Sequence, residues 1–155
     1  MDLDPRLHFV VATAIIVKDN KFLIAKRASH EKAFPNKWTV PGGKLVLHEY
    51  GKLPKTAGFP QWYNVVDWVL KKEVREETGL EIGKPKYLCD LVFVRPDGYP
   101  VVTLSYWAGY KSGKVRLCKD LVDYAWVTAK EAKNYDLIEG IINELREVEK
   151  LLRLK

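Results

Sequence analysis

Three carboxylates stand close together near the end of one expected helix. In Lys72-Glu73-Val74-Arg75-Glu76-Glu77-Thr78-Gly79-Leu80, Glu73 and Glu77 are four apart and Glu76 is three from Glu73. All three side chains can therefore share one side of a helix, and Gly79 supplies a left-handed stop. The placement works against the helix. Like charges at these spacings repel by about 0.2–0.5 kcal/mol per pair, and anions in the last turn meet the negative end of the macrodipole. Lys71, Lys72 and Arg75 offset part of this but lie partly on other faces. A hard divalent cation offsets more, and Mg²⁺ prefers carboxylate oxygens. The same residues also suit a solvated surface helix with no ligand, so residues upstream must decide.

Upstream, Trp38-Thr39-Val40-Pro41-Gly42-Gly43-Lys44-Leu45 reads as ending in a rigid two-glycine turn, where backbone can approach a ligand closely. Glu49 follows Gly43 by six positions. With these residues the chain resembles the Nudix hydrolases (MutT-like). Their box is Gly, five residues, Glu, seven residues, then Arg-Glu-apolar-any-Glu-Glu-any-Gly-apolar. Gly43 and Glu49 match its first half, and Glu73, Val74, Glu76, Glu77, Gly79 and Leu80 its second, with Lys72 in the Arg position. From Tyr50 to Lys71 there are 22 residues where the pattern has seven, so this register carries a 15-residue insertion. A gapless register would put Gly58 in the Gly position and Asn64 in the Glu position. The first is favoured because Pro41-Gly42-Gly43-Lys44 matches the family's usual opening. Gly58 is then a loop glycine, and Asn64 an N-cap before Val65 with Asp67 three residues on. Phe22-Leu23-Ile24-Ala25-Lys26-Arg27 and Lys37-Trp38 extend the likeness, which spans Val10 to Thr128.

The resemblance implies an α/β fold, the Nudix fold, with a mixed β-sheet sandwiched between helices (α/β/α). It implies hydrolysis of a nucleoside diphosphate linked to another group, using Mg²⁺ or Mn²⁺. The metal ligands would be Glu73, Glu76 and Glu77, with the Gly42 carbonyl and Glu49 as further candidates. The general base would be Glu76 or Glu77, or an acid in a later loop, where Asp120 and Asp123 stand. Substrate contacts would come from Arg27, Lys44, Gly43 and Lys72. Lys72 keeps the charge of the family's Arg but loses its planar two-pronged donor. The linked group is open among nucleoside triphosphates, oxidised nucleotides and ADP-ribose. Pro96 stands where ADP-ribose-cleaving members often carry a proline, yet Pro-Asp-Gly is also what a hairpin turn requires.

A chain of 155 residues suits one domain, residues 1–155, able to bury about two-thirds of its unfolded surface. Its composition is 47% hydrophobic and 30% charged, as in ordinary globular proteins. No apolar run approaches a membrane span, and the first residues lack a basic-then-apolar export pattern. A cytoplasmic location is expected. Cys89 and Cys118 fit neither a zinc site nor a redox pair and are expected to be buried thiols. The net charge of +6 is carried by scattered Lys and Arg, with no basic block interleaved with aromatics. That favours a small anionic substrate over nucleic acid. Exposed sheet edges leave room for a homodimer.

Along the chain, His8–Val17 and Phe22–Arg27 read as a hairpin turning at Asp19-Asn20. Ala28–Lys37 is a polar loop. Tyr50–Tyr63, with Gly51, Pro54, Gly58 and Pro60, reads as the inserted loop. Its Phe59, Trp62 and Tyr63 either anchor it to the body or form a lid that stacks on a base, and anchoring is favoured. Asn64–Thr78 is a helix with Val66, Val69, Leu70 and Val74 inward. Tyr87–Val94 and Tyr99–Tyr110 are strands joined at Pro96-Asp97-Gly98, and Tyr124–Val127 is a short strand. Thr128-Ala129-Lys130-Glu131 has capping-box spacing, and Asp136 and Glu139 repeat that signal. Ile138, Ile141, Ile142, Leu145, Val148 and Leu152 form the stripe of a final helix. His8, His30 and His48 show no ligand spacing. Two rivals share these features. Lys32–Thr39 resembles a segment of isopentenyl diphosphate isomerase, but Val40-Pro41-Gly42 replaces that enzyme's cysteine. A non-catalytic nucleotide-sensing domain would explain the insertion and Lys72, but not the intact Glu73, Glu76 and Glu77.

Overall fold

The computed structural model describes residues 2–154. The chain opens with a hairpin, β1 (Phe9–Lys18) and β2 (Lys21–Arg27). Asp19 and Asn20 turn between them at φ 51° and 60°, the left-handed pair that a two-residue turn needs to match the twist of its strands. Two short strands follow, β3 (Trp38–Thr39) and β4 (Gly42–Lys44), then a four-residue helix α1 (Leu47–Tyr50). Helix α2 (Val65–Thr78) leads through β5 (Glu81–Ile82) into the long pair β6 (Lys86–Val94) and β7 (Pro100–Ser112). Strand β8 (Leu121–Val127), the short α3 (Ala129–Ala132) and the terminal α4 (Ile141–Arg153) complete the fold.

The sheet is mixed. Strand β1 runs parallel to β7 along nine residue pairs, from Phe9–Val101 to Val17–Gly109, and every other named pairing is antiparallel. Alternation along the strands divides two cores. Ala12, Ala14 and Ile16 of β1 and Leu23 of β2 meet Leu70 and Val74 of α2. Ile15, Phe22 and Ile24 point the other way, onto Ile141, Leu145 and Val148 of α4. The α/β/α sandwich expected from the sequence is the observed one. Full burial of side chains such as Phe22, Ile15 and Leu145 stabilises by about 1.5–3 kcal/mol each. No helix is long and apolar enough to cross a membrane.

Several local expectations need correction. Gly42 and Gly43 lie in strand β4, paired with Thr13 and Ala12 of β1, and do not form a turn. Asn64 does precede α2, but at φ 62° and without a side-chain cap. Its tolerance of left-handed backbone is what the position uses. The Thr128–Glu131 capping box is present in full. Asp136 and Glu139 do not start α4. Asp136 pairs with Lys37 at 2.7 Å, and the helix begins after Gly140 at φ 94°. Ile138 therefore lies before the helix, its N–H bonded to the Trp38 carbonyl at 2.9 Å, and still packs on the same core. Cys89 and Cys118 are free thiols, half-buried rather than buried.

Candidate functional site

Helix α2 is seated by its apolar face, which leaves Glu73, Glu76 and Glu77 facing β4, α1 and the loops beside them. The absence of a side chain at Gly43 allows the closest approach. A Cβ there would stand 2.2 Å from Glu73 Cγ, so glycine is required by the neighbouring acid rather than by backbone conformation. A Cβ on Gly42 would stand 2.5 Å from the Ala12 carbonyl oxygen. Gly42 enters the site through its N–H, which donates to Glu77 Oε1 at 2.9 Å.

The acids divide into two groups. Glu77 turns toward β4, and burial, its largest influence, pushes its carboxyl up to about 7. Glu73 and Asp120 push the same way, while the Gly42 N–H and Arg27 oppose them. Glu73 and Glu76 instead gather around Lys72. The Lys72 Nζ donates to Glu73 Oε1 at 3.2 Å, Glu76 Oε2 at 3.2 Å and Glu49 Oε2 at 3.4 Å. Burial raises the Glu73 carboxyl above its ordinary value, against the pull of Lys72. Lys72 is thus no bystander on another helix face, since its flexible four-carbon stem carries the ammonium back over the acids. Arg75, by contrast, leaves the site and pairs with Glu81 at 2.6 Å.

The link between Lys72 and Glu49 spans 23 positions. Between them the chain closes on itself. Trp62 stacks edge-on to Tyr50, with ring centroids 5.4 Å apart, and its Nε1 donates to the Leu53 carbonyl at 2.9 Å. Trp62 thus folds the loop back on its own start, whereas Phe59 and Tyr63 remain 60% and 71% exposed.

The remaining candidates are placed unevenly. Arg27 ends β2 near enough to Glu77 to influence it. Its guanidinium is tied down by the Ala33 carbonyl at 2.9 Å and by Glu31 at 3.2 Å. Lys44 follows Gly43 on β4, so its side chain leaves by the opposite face from Glu73, and its Nζ lies 5.9 Å from the Phe9 ring centroid. Asp123 bonds the Tyr124 N–H at 2.8 Å on β8. Asp120 is held by His30 Nε2 at 2.9 Å, a contact that lowers its carboxyl below the usual range. His30, Glu31 and Asp120 are the one trio among the described residues whose ligand atoms all lie within 4.8 Å of one another. The sequence reading missed His30, because 90 positions separate it from Asp120 and no local spacing announces the pair.

The donor set fits a hard divalent cation. Glu49, Glu73, Glu76 and Glu77 offer only carboxylate oxygens, the ligands preferred by Mg²⁺ and Mn²⁺, and Glu49, Glu73 and Glu76 share a single ammonium. Their oxygens are spread around Lys72 and Gly42 rather than converged on one point.

The chain is similar to known proteins over most of its length. The model of the NUDIX domain matches residues 7–148. A nucleoside triphosphatase, NudI, of Klebsiella pneumoniae subsp. pneumoniae is 26% identical over 140 residues, covering 84% of this chain and 89% of that protein. The crystal structure of a MutT NUDIX hydrolase from Burkholderia pseudomallei superposes with a TM-score of 0.72 at 22% identity, over 92% of this chain and 99% of that one. The NUDIX domain of Shewanella oneidensis NrtR, solved in complex with ADP ribose, superposes with a TM-score of 0.67 at 16% identity, over 97% and 94% of the two chains.

Proposed function

Because the chain belongs to the NUDIX domain family and is a pyrophosphohydrolase, we propose that it hydrolyses a nucleoside triphosphate, or another nucleoside diphosphate derivative, with the help of Mg²⁺ or Mn²⁺. The observation that carries this reading is the gathering of Glu49, Glu73 and Glu76 around Lys72, beside a Glu77 bonded to Gly42. A nucleoside triphosphate is favoured by the likeness to NudI. The two free thiols fit a reducing cytoplasm.

Glu73, Glu76 and Glu77 would hold the cation, with Glu49 and the Gly42 carbonyl as further ligands. When bound, it would neutralise phosphate charge and lower the pKa of an attacking water. The protein's own part is positioning and proton transfer. Water adds to phosphorus, the anhydride P–O bond breaks, and the proton must pass to a base. Glu77 or Glu76 would take that proton; burial pushes the Glu77 carboxyl up to about 7 in the metal-free chain, and a cation held beside it would bring it back down. The Gly42 N–H holds the Glu77 carboxyl in one orientation. Arg27, anchored by Glu31 and Ala33, would be a cation for a phosphate. Asp120, oriented by His30, is the acid in the later loop.

A panel of nucleoside triphosphates, ADP-ribose, dinucleoside polyphosphates and sugar nucleotides, assayed with and without Mg²⁺, tests the reading. Metal-dependent turnover of at least one compound is expected, reduced about 100-fold or more in Glu76→Gln. Unchanged turnover in that variant would remove Glu76 from the site. Tight metal-independent binding without turnover would favour a sensing domain.

A further inference from the structure

Lys72 does more than replace the family's Arg with another positive charge. A guanidinium presents its donors in one rigid plane, whereas an ammonium has three rotatable N–H groups. Here those three donors meet three separate carboxylates, two from neighbouring turns of α2 and one from α1. Lys72 and Glu73 are mostly shielded, with side chains 21% and 18% exposed, so that pair is screened less than a surface ion pair. The three acids with Lys72 in place keep a net charge of two negative units. Without Lys72 they would repel one another, and Glu73 would be a partly buried charge lacking a partner. The ammonium also lies 5.9 Å from the Trp68 ring centroid one helical turn away, an aromatic face that can receive it.

We propose that Lys72 is a built-in counter-ion which holds Glu49, Glu73 and Glu76 together in the metal-free protein and must leave them for a divalent cation to bind. The lysine and the cation compete for Glu73 and Glu76, and for Glu49 as the further ligand. Lys72 therefore weakens metal affinity while keeping the empty site assembled. This rests on the metal-binding reading of the same acids given above, and it sharpens that reading. A residue that merely oriented the glutamates would strengthen metal binding instead.

Two measurements on the full chain test this. Calorimetric titration with Mn²⁺ compares the native protein with Lys72→Met and Lys72→Arg. Lys72→Met is expected to bind Mn²⁺ about tenfold more tightly and, because its metal-free form is less stable, to show a larger Mn²⁺-induced rise in melting temperature. Equal or weaker binding in Lys72→Met would overturn the proposal. The second measurement needs no variant. Amine-directed labelling read by mass spectrometry should find Lys72 protected in the metal-free protein and several-fold more reactive with saturating Mn²⁺ or Mg²⁺, while Lys150 stays constant. Unchanged or reduced Lys72 reactivity at saturating metal would overturn competition while leaving the metal site intact. Absence of any Glu73-dependent Mn²⁺ binding would remove both that site and the proposal.

Discussion

Helices α2 and α4 cover opposite faces of one sheet and are of similar length, but they differ in the charge they carry near their ends. Helix α4 follows the rules of a stable helix. Glu144 lies in its first turn and Lys150 and Arg153 in its last, matching the macrodipole at both ends. Its stripe of Ile141, Leu145 and Val148 is buried, and Lys150 and Arg153 reach back to Glu147 and Glu149 at 3.1 and 3.6 Å. Helix α2 also buries an apolar face and carries Asp67 in its first turn and Arg75 in its last, but it adds charge where those rules oppose it. Its C-terminal turns carry Glu73, Glu76 and Glu77, two of them pressed against β4. The Lys72–Glu76 pair runs in the less favourable direction, with the base on the N-terminal side. Helix α4 serves stability, whereas α2 also holds a cluster of acids against β4 and α1.

That contrast can be broken at either helix. The largest effect is expected at α4, where Leu145 is fully buried. Leu145→Ala should cost about 2–5 kcal/mol of stability in denaturant titration, while turnover per folded molecule stays near native. Glu73→Gln on α2 should do the reverse, lowering kcat/KM about 100-fold or more with the fold intact. A matching loss of stability in that variant would show that α2 is as structural as α4.

Glu77 sharpens the comparison through pH. Its carboxyl titrates at about 7 in the folded chain, against an ordinary 4.5. Between those values the folded state holds more protons than the unfolded one. Its contribution is therefore full below about pH 4.5 and is lost as the pH rises through about 7. Glu77→Gln keeps an oxygen for the Gly42 N–H and removes the charge. The metal-free variant should gain about 1–3 kcal/mol over native protein at pH 8 and little at pH 5, as read by melting temperature. A gain equal at both pH values would mean that Glu77 is not strained. The smallest effect belongs to the α4 side. Thr128 caps α3 in a full capping box, and Thr128→Ala should cost about 1 kcal/mol without altering turnover.

The same division governs what the sequence could reveal. The long elements were legible because their periods repeat over many residues: β1 and β2 alternate about two cores, and α4 carries an unbroken stripe. The box acids were legible because helical spacing and the matching Gly43 and Glu49 reinforce one another. Strands β3, β4 and β5 span two or three residues, too few to show a period, so Gly42-Gly43 read as a turn. Gly43 is glycine because Glu73 lies against it, a reason visible only once 30 positions of chain have folded. Lys72 seemed misplaced on a rigid helical wheel, which ignores the reach of its side chain. His30 became partner to Asp120 only through the meeting of two loops.

The most direct test is where a divalent ion settles. Crystals soaked in Mn²⁺ and measured at its absorption edge should show anomalous density against the Glu73 and Glu76 carboxylates, beside Gly42 and Glu77. Density confined to His30, Glu31 and Asp120, with the acids of α2 free of metal, would contradict the account.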